Sequence, residues 1–510
     1  MNEVHHAQPT PAEKKLFWAC FIALCATSFA FILRILALDG IAAEFDLSET
    51  QKGEILGVGI WPFAVSIVLF SLVIDKIGYG KAILFGFLAH AAFAILMVTA
   101  TGYWSLYIGS ALGGLAAGAI EAAINPIVAT MFAKEKTKWL NILHAGWPGG
   151  MVVAGILAML LGGDGGIGWK GQISLIFIPV ALYGVMMLSC KFPTSERVAA
   201  GVSYKAMLQE VGFLGALMTS AMIFLEVGRV FEWSDTMKWA AALAVAAAFG
   251  AYVRTIGRPL FLFLMLIMMP LAITELGTDS WISDLMAGPM QEMGLPGGVV
   301  LVYTAFLMMV LRFQAGPLVE RLQPLGLLAA SAGLAIVGLI LLSSAAGIMI
   351  LVAATVYGVG KTFFWPTMLG VVSEQCPKGG ALTLNLIAGL GMLAAGVIGA
   401  ALLGNIQDKE LSETLLADRP ALAEQVLGEE QTSVFGAYTP IDGEKRSSVT
   451  AEDAEYLDDL GIVAKQDALK TVAIFPGIML ICYLILIAYF RSRGGYKPIA
   501  LEHESEFANA

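Results

Sequence analysis

Long apolar runs govern what this chain can become. A helix needs about 20 predominantly apolar residues to cross the hydrocarbon core of a bilayer. Runs of that length, bounded by charges or turn residues, lie at 16–38, 55–74, 82–100, 104–132, 139–161 and 170–190. After a polar stretch from Lys191 to Lys205, two more follow at 207–229 and 239–256. A last group occupies 260–282, 297–316, 325–343, 348–372, 380–403 and 471–490. The expected class is therefore all-α and polytopic, with about fourteen transmembrane helices arranged as six, two and six. Composition agrees, since 58% of the 510 residues are hydrophobic and 14% charged, against roughly a quarter charged in soluble domains. Five cysteines without metal or redox spacing read as small packing residues, and no cofactor or metal is expected. A pI near 5.1 argues against nucleic acid as a partner.

Orientation follows from the basic residues of the short loops. Lys14 and Lys15, Lys76 and Lys81, Lys134, Lys136 and Lys138, and Arg254 and Arg258 fall on one side, whereas 39–54 is acidic. This predicts both termini in the cytoplasm, a chain in the inner membrane, and a first apolar run that serves as an anchor rather than a cleaved signal. The segment 405–470 then lies outside. It carries 15 Asp/Glu and 6 Lys/Arg, hence −9 of the net −10, and reads either as an acidic outer cap or as a solvated insertion with short surface helices.

The two groups of six share a repeat. GAIEAAINP in the fourth run and GVGKTFFWP in the second group each place an ionisable residue five positions before a proline, Glu121 with Pro126 and Lys361 with Pro366. WLNILHAG matches TLNLIAGL, pairing Asn141 with Asn385, and VIDKIGYGK matches LVERLQPLG, pairing Asp75 and Lys76 with Glu320 and Arg321. The offsets are 240, 244 and 245 residues. Two homologous halves, 1–190 and 259–510, are expected, joined by a linker with two extra helices at 191–258.

The stretch SLVIDKIGYGK (71–81) resembles the signature loop of the major facilitator superfamily, keeping Asp75, Gly78 and Lys81 with Lys76 in place of the usual Arg. EAAINPIV (121–128) with LNILH (140–144), RFQAGPLVERLQP (312–324), WPTMLG (365–370) and TELGTDSWI (274–282) are similar to segments of its fucose:proton symporter and related sugar-carrier group. The resemblance implies a major facilitator fold and a switch loop built from Asp75, Lys76, Gly78, Lys81, Glu320 and Arg321. It also implies a secondary active transporter of a small polar solute, most simply a monosaccharide, with proton symport.

Charges inside apolar helices are costly unless paired or hydrated, so each marks a functional position. Arg34, Glu121, His144, Glu226, Arg229, Glu275, Asp279, Arg312 and Lys361 qualify. The expected solute site comprises Arg34, Glu121, Asn141, His144, Trp147, Glu275, Asp279, Trp281, Lys361 and Asn385. Amides and imidazole can bond sugar hydroxyls, and indoles can stack on a sugar's apolar face. Glu121, Glu275 and Asp279 are the proton-coupling candidates. For Glu121, whose position matches the symporter group's proton-linked acid, a fixed ion pair with Arg34 or Lys361 is the alternative. Arg312 reads as structural, at a helix end, and Glu226 with Arg229 as a self-neutralising pair.

Arg34 stands where the fucose carriers have an acid, which opens a second substrate class, sugar acids or other carboxylates. A non-transporting solute-binding or sensory protein is the reading from another class. With no nucleophile–base, metal-ligand or phosphate-loop pattern, an enzyme is not expected. The expected partners are a solute, protons and the lipid bilayer, and the expected state is a monomer.

Overall fold

The computed structural model describes residues 9–47, 49–162, 165–279, 298–345, 347–433 and 436–501, with isolated positions between 280 and 297. Helix α1 (Pro11–Phe45) opens with a capping box. The Glu13 amide donates to Thr10 Oγ1 at 3.2 Å, and the Thr10 amide donates to the Glu13 carboxylate at 2.8 Å. The second span is broken into α2 (Glu49–Gly57) and α3 (Ile60–Ile77), followed by α4 (Tyr79–Val98) and α5 (Tyr103–Met131). The next two spans are also in pieces, α6 (Lys136–His144) with α7 (Gly146–Leu161), then α8 (Gly168–Ser174) with α9 (Phe177–Met187). A short α10 (Glu196–Ala199) leads into the inserted pair α11 (Tyr204–Val230) and α12 (Asp235–Val253).

The second group begins with α13 (Pro259–Ala272), whose end widens into a π-helical turn at Ile273–Gly277. It continues through α14 (Gly298–Phe313), α15 (Ala315–Leu342), the broken span α16 (Met349–Lys361) and α17 (Phe364–Gln375), and α18 (Gly380–Leu393). Among the described residues, thirteen helices are long and apolar enough to cross a membrane, and the shorter apolar α14 completes the fourteen read from the sequence.

The acidic segment 405–470 is less of a loop than the sequence suggests. Past a π-helical stretch, α19 (Ala401–Asp418) carries the preceding span outward, and α22 (Ala451–Val472) runs back to the last span, α23 (Ile474–Ser492). Between them sit α20 (Pro420–Val426), a small antiparallel hairpin of β1 (Gln431–Ser433) and β2 (Gly436–Tyr438), and α21 (Gly443–Arg446). Leu415, Leu422, Val426 and Leu457 close a small core of their own there. Helices formed because both flanks carry an apolar stripe that can pack on the other, which a charge count does not show.

Small residues let the spans approach closely. A Cβ added to Gly118 of α5 would stand 2.3 Å from the Phe63 carbonyl oxygen, and one on Gly114 2.4 Å from that of Gly59. The repeat uses the same device, with Gly360 of α16 placed so that a Cβ would stand 2.5 Å from the Ala335 nitrogen of α15. Between α3 and α4 the chain reverses on Gly78, whose φ of 83° is a left-handed value that favours glycine.

Candidate functional site

Two prolines at repeat-related positions open the backbone where the site forms. Proline has no N–H and crowds the carbonyl four residues back, so Pro126 frees the Ala122 carbonyl and Pro366 that of Thr362. Buried in an apolar bundle, each freed oxygen needs a donor. The Asn385 amide donates to Ala122 O at 2.9 Å, and Arg312 Nε donates to Thr362 O at 2.7 Å.

Around these breaks lies a small central cavity of about 30 Å3, well below the roughly 300–1,000 Å3 common for open small-molecule sites. Its polar lining is Glu121, His144, Glu275 and Arg312, and Trp147 and Trp365 supply flat apolar walls. Arg312 is 2% exposed and holds the site together. Its Nη2 donates to Glu275 Oε1 at 2.8 Å and its Nη1 to the His144 carbonyl at 2.9 Å. The other Glu275 oxygen accepts the Trp365 amide at 3.1 Å, so the pair satisfies both an orphan carbonyl and an orphan amide of the α16–α17 break.

Glu121 is different. It is 4% exposed, and among the described residues no cation lies within ion-pair distance of it. Asn125 Nδ2 donates to it at 3.4 Å, and Asn125 Oδ1 sits 3.1 Å from His144 Nε2. Glu121, Asn125, His144 and Arg312 thus form a polar chain from the first group of spans to the second. The pairing of Glu121 with Arg34 or Lys361 considered from the sequence is absent.

Lys361, fully buried, makes its ion pair with Asp279 and lies over the Tyr357 ring at 5.2 Å. Neither Lys361 nor Asp279 lines the central cavity. Arg34 is also elsewhere. Its Nη1 donates to the Ile55 carbonyl at 3.2 Å, and its guanidinium fills the α2–α3 break, where a Cβ on Gly59 would come within 2.3 Å of it. A cation at the carbonyl end of α2 satisfies the helix terminus. Asn141 donates to Thr367 Oγ1 at 3.1 Å, and with Asn385 on Ala122 the repeat-related amides cross in opposite directions between the two groups. Trp281 lies outside the described residues.

The end of the bundle bearing both described chain ends is clamped shut. Thr137 donates to Glu374 Oε1 through its amide at 3.1 Å and its hydroxyl at 2.6 Å. The Tyr496 hydroxyl donates to Glu374 Oε2 at 2.7 Å, and the Ile499 amide to the Glu374 carbonyl at 2.8 Å, strapping the tail onto α17. Lys136 ties Glu196 at 2.5 Å to the Ser373 carbonyl at 3.2 Å. Asp75 accepts Arg197 Nη2 at 2.5 Å and Ser195 Oγ at 3.0 Å, and Lys76 lies 4.4 Å above the Tyr204 ring. Of the switch-loop positions, Asp75 and Lys76 are therefore engaged by the segment that precedes and begins the inserted pair. Lys81, Glu320 and Arg321 are exposed.

Asn125 and Trp365 are site residues that the sequence did not single out, and Arg312, read there as structural at a helix end, also lines the cavity. A signal was available for Arg312, because a proline four residues beyond a buried carbonyl demands a donor from another helix. Relatives agree with the architecture. The gentisate transporter of Corynebacterium glutamicum is 22% identical over 162 residues, 31% of this chain and 36% of that protein. The cis,cis-muconate transport protein of Acinetobacter baylyi is 26% identical over 175 residues, 34% and 42% respectively, so the chain spans well under half the length of either relative. The crystal structure of FucP in the outward conformation superposes with a TM-score of 0.55 at 14% identity, covering 91% of this chain and 98% of that one. The Major Facilitator Superfamily model matches residues 18–400, and the chain belongs to that superfamily of multi-pass membrane proteins.

Proposed function

We propose that this chain is a secondary active transporter that carries a small neutral polar solute, most simply a monosaccharide, coupled to protons. Two six-helix halves, 1–190 and 259–510, rock about the central cavity, with the chain ends in the cytoplasm. The observation that carries the reading is the charge pattern. Both deep cations of the second group, Arg312 and Lys361, are already matched by Glu275 and Asp279, while Glu121 faces the cavity without a counter-ion. A matched lining suits an uncharged polyhydroxyl solute, which indole faces and hydrogen-bonding side chains can hold. An unmatched buried carboxyl crosses a conformational cycle at least cost as the neutral acid, and this makes Glu121 the proton carrier. Asp279 and Glu275 serve as fixed partners.

The test is uptake of labelled monosaccharides into vesicles holding the full chain, with and without an imposed pH gradient. Gradient-driven accumulation that Glu121→Gln reduces to exchange without accumulation supports the reading. Equal accumulation at zero gradient refutes the coupling. One observation favours a second reading, in which the solute is a carboxylate: the named relatives carry gentisate and muconate. A carboxylate would have to displace Glu275 from Arg312, so strong competition by gentisate or muconate and none by sugars would favour it.

A further inference from the structure

The inserted pair encloses a second cavity. On the face opposite the chain ends, α11 stands off from α2, α3 and the start of α5 around a basin of about 490 Å3. One wall is aromatic, because Tyr103, Trp104 and Tyr107 pack on the first two turns of α5 with ring centroids 5.1 to 5.8 Å apart. Trp104 is 69% exposed. At the foot of the wall Glu54 accepts the Tyr103 hydroxyl at 2.5 Å. Across the basin, Glu226 and Arg229 of α11 neutralise each other at 2.7 and 3.0 Å. Glu54 and Glu232 remain, and among the described residues neither has an ion-pair partner.

An uncharged solute has no use for two spare carboxylates, and a metal ion none for an aromatic wall. An organic ammonium uses both, through ion pairing and through attraction to the electron-rich ring faces. We propose that this basin binds an organic ammonium group, with Glu54 as counter-charge and Trp104 as the ring face. The Arg229 guanidinium, whose side chain is 67% exposed, takes oxygen atoms of the same molecule. The group can come from the head of an aminophospholipid, at the interface where Trp and Tyr gather, or from a free amine. The assignment stands apart from the central cavity and does not depend on what that cavity carries.

The full chain in phosphatidylglycerol discs is titrated with tetramethylammonium and with ethanolamine, read by intrinsic fluorescence against matched sodium chloride. Saturable binding that Glu54→Gln weakens about tenfold or more is expected. In parallel, lipid is extracted from chain purified out of mixed phosphatidylethanolamine and phosphatidylglycerol. Enrichment of the amine lipid in the wild type and not in Glu54→Gln assigns the lipid source, and soluble binding without enrichment assigns the free amine. Should Glu54→Gln fail to fold, Trp104→Ala at the exposed rim replaces it in both arms. No saturable binding together with no enrichment, or responses that the variant leaves unchanged, overturns the proposal.

Discussion

Replacing Arg312 by methionine tests the bond network at the heart of the bundle. The substitution keeps much of the side-chain volume and removes every donor that Arg312 sends to Glu275, Thr362 O and His144 O. Breaking a buried ion pair by removing one partner costs about 3–5 kcal/mol. Each carbonyl left bare adds about 1–3 kcal/mol, part of it recovered by water entering the cavity. Arg312→Met is therefore expected to lower unfolding stability by at least about 3 kcal/mol. Two second changes should recover part of the loss. Glu275→Gln removes the stranded charge, and Pro366→Ala returns an N–H to the helix, giving Thr362 O an internal partner. Equilibrium unfolding of wild type, the single variants and the two doubles in one detergent gives the coupling energies. Coupling of about 1–3 kcal/mol is expected between Arg312 and each second site. Additive losses, with coupling below about 0.5 kcal/mol, would refute the idea that this guanidinium serves both the carboxylate and the proline break.

Glu374→Gln should loosen the closed end of the bundle, since charge-assisted hydrogen bonds are worth about 1.5–3 kcal/mol each. Spin-label distances across that end should then show a second, longer population absent from the wild type. Asn385→Leu is expected to cost about 1–3 kcal/mol through the bare Ala122 carbonyl, and Pro126→Ala in the same chain should return most of it in thermal unfolding. Leu415→Ala should open the small outer core, at about 2–5 kcal/mol, so that limited proteolysis cuts between 428 and 450 while the melting of the spanning bundle stays put.

The spans were legible because bilayer thickness sets helix length. The Asp75 loop stood out in the sequence by its resemblance to a signature loop, whereas its partners, Ser195 and Arg197, depend on how the linker folds back. Arg34 was misplaced in the expected solute site because repeat spacing aligns it with Thr278, while the break at 58–59 that claims its guanidinium leaves only a glycine as a sign. Asn141 and Asn385 have the chemistry of ligand amides, and their pattern alone could not say that backbone and Thr367 take them first. Charge matching was the least visible feature. Glu275 and Arg312 are 37 residues apart, and Asp279 and Lys361 82, so only the crossing of spans decides which acids are matched and which one is left over.

The two proline breaks look alike in sequence and are fastened differently. Thr362 takes its donor from Arg312, a member of the same group of spans, whereas Ala122 takes its donor from Asn385, a member of the other group. A motion that turns one group against the other leaves the first fastening intact and pulls directly on the second. Any separation of α5 from α18 would strip a carbonyl buried in apolar surroundings of its donor, at a cost in free energy that the other break would not bear.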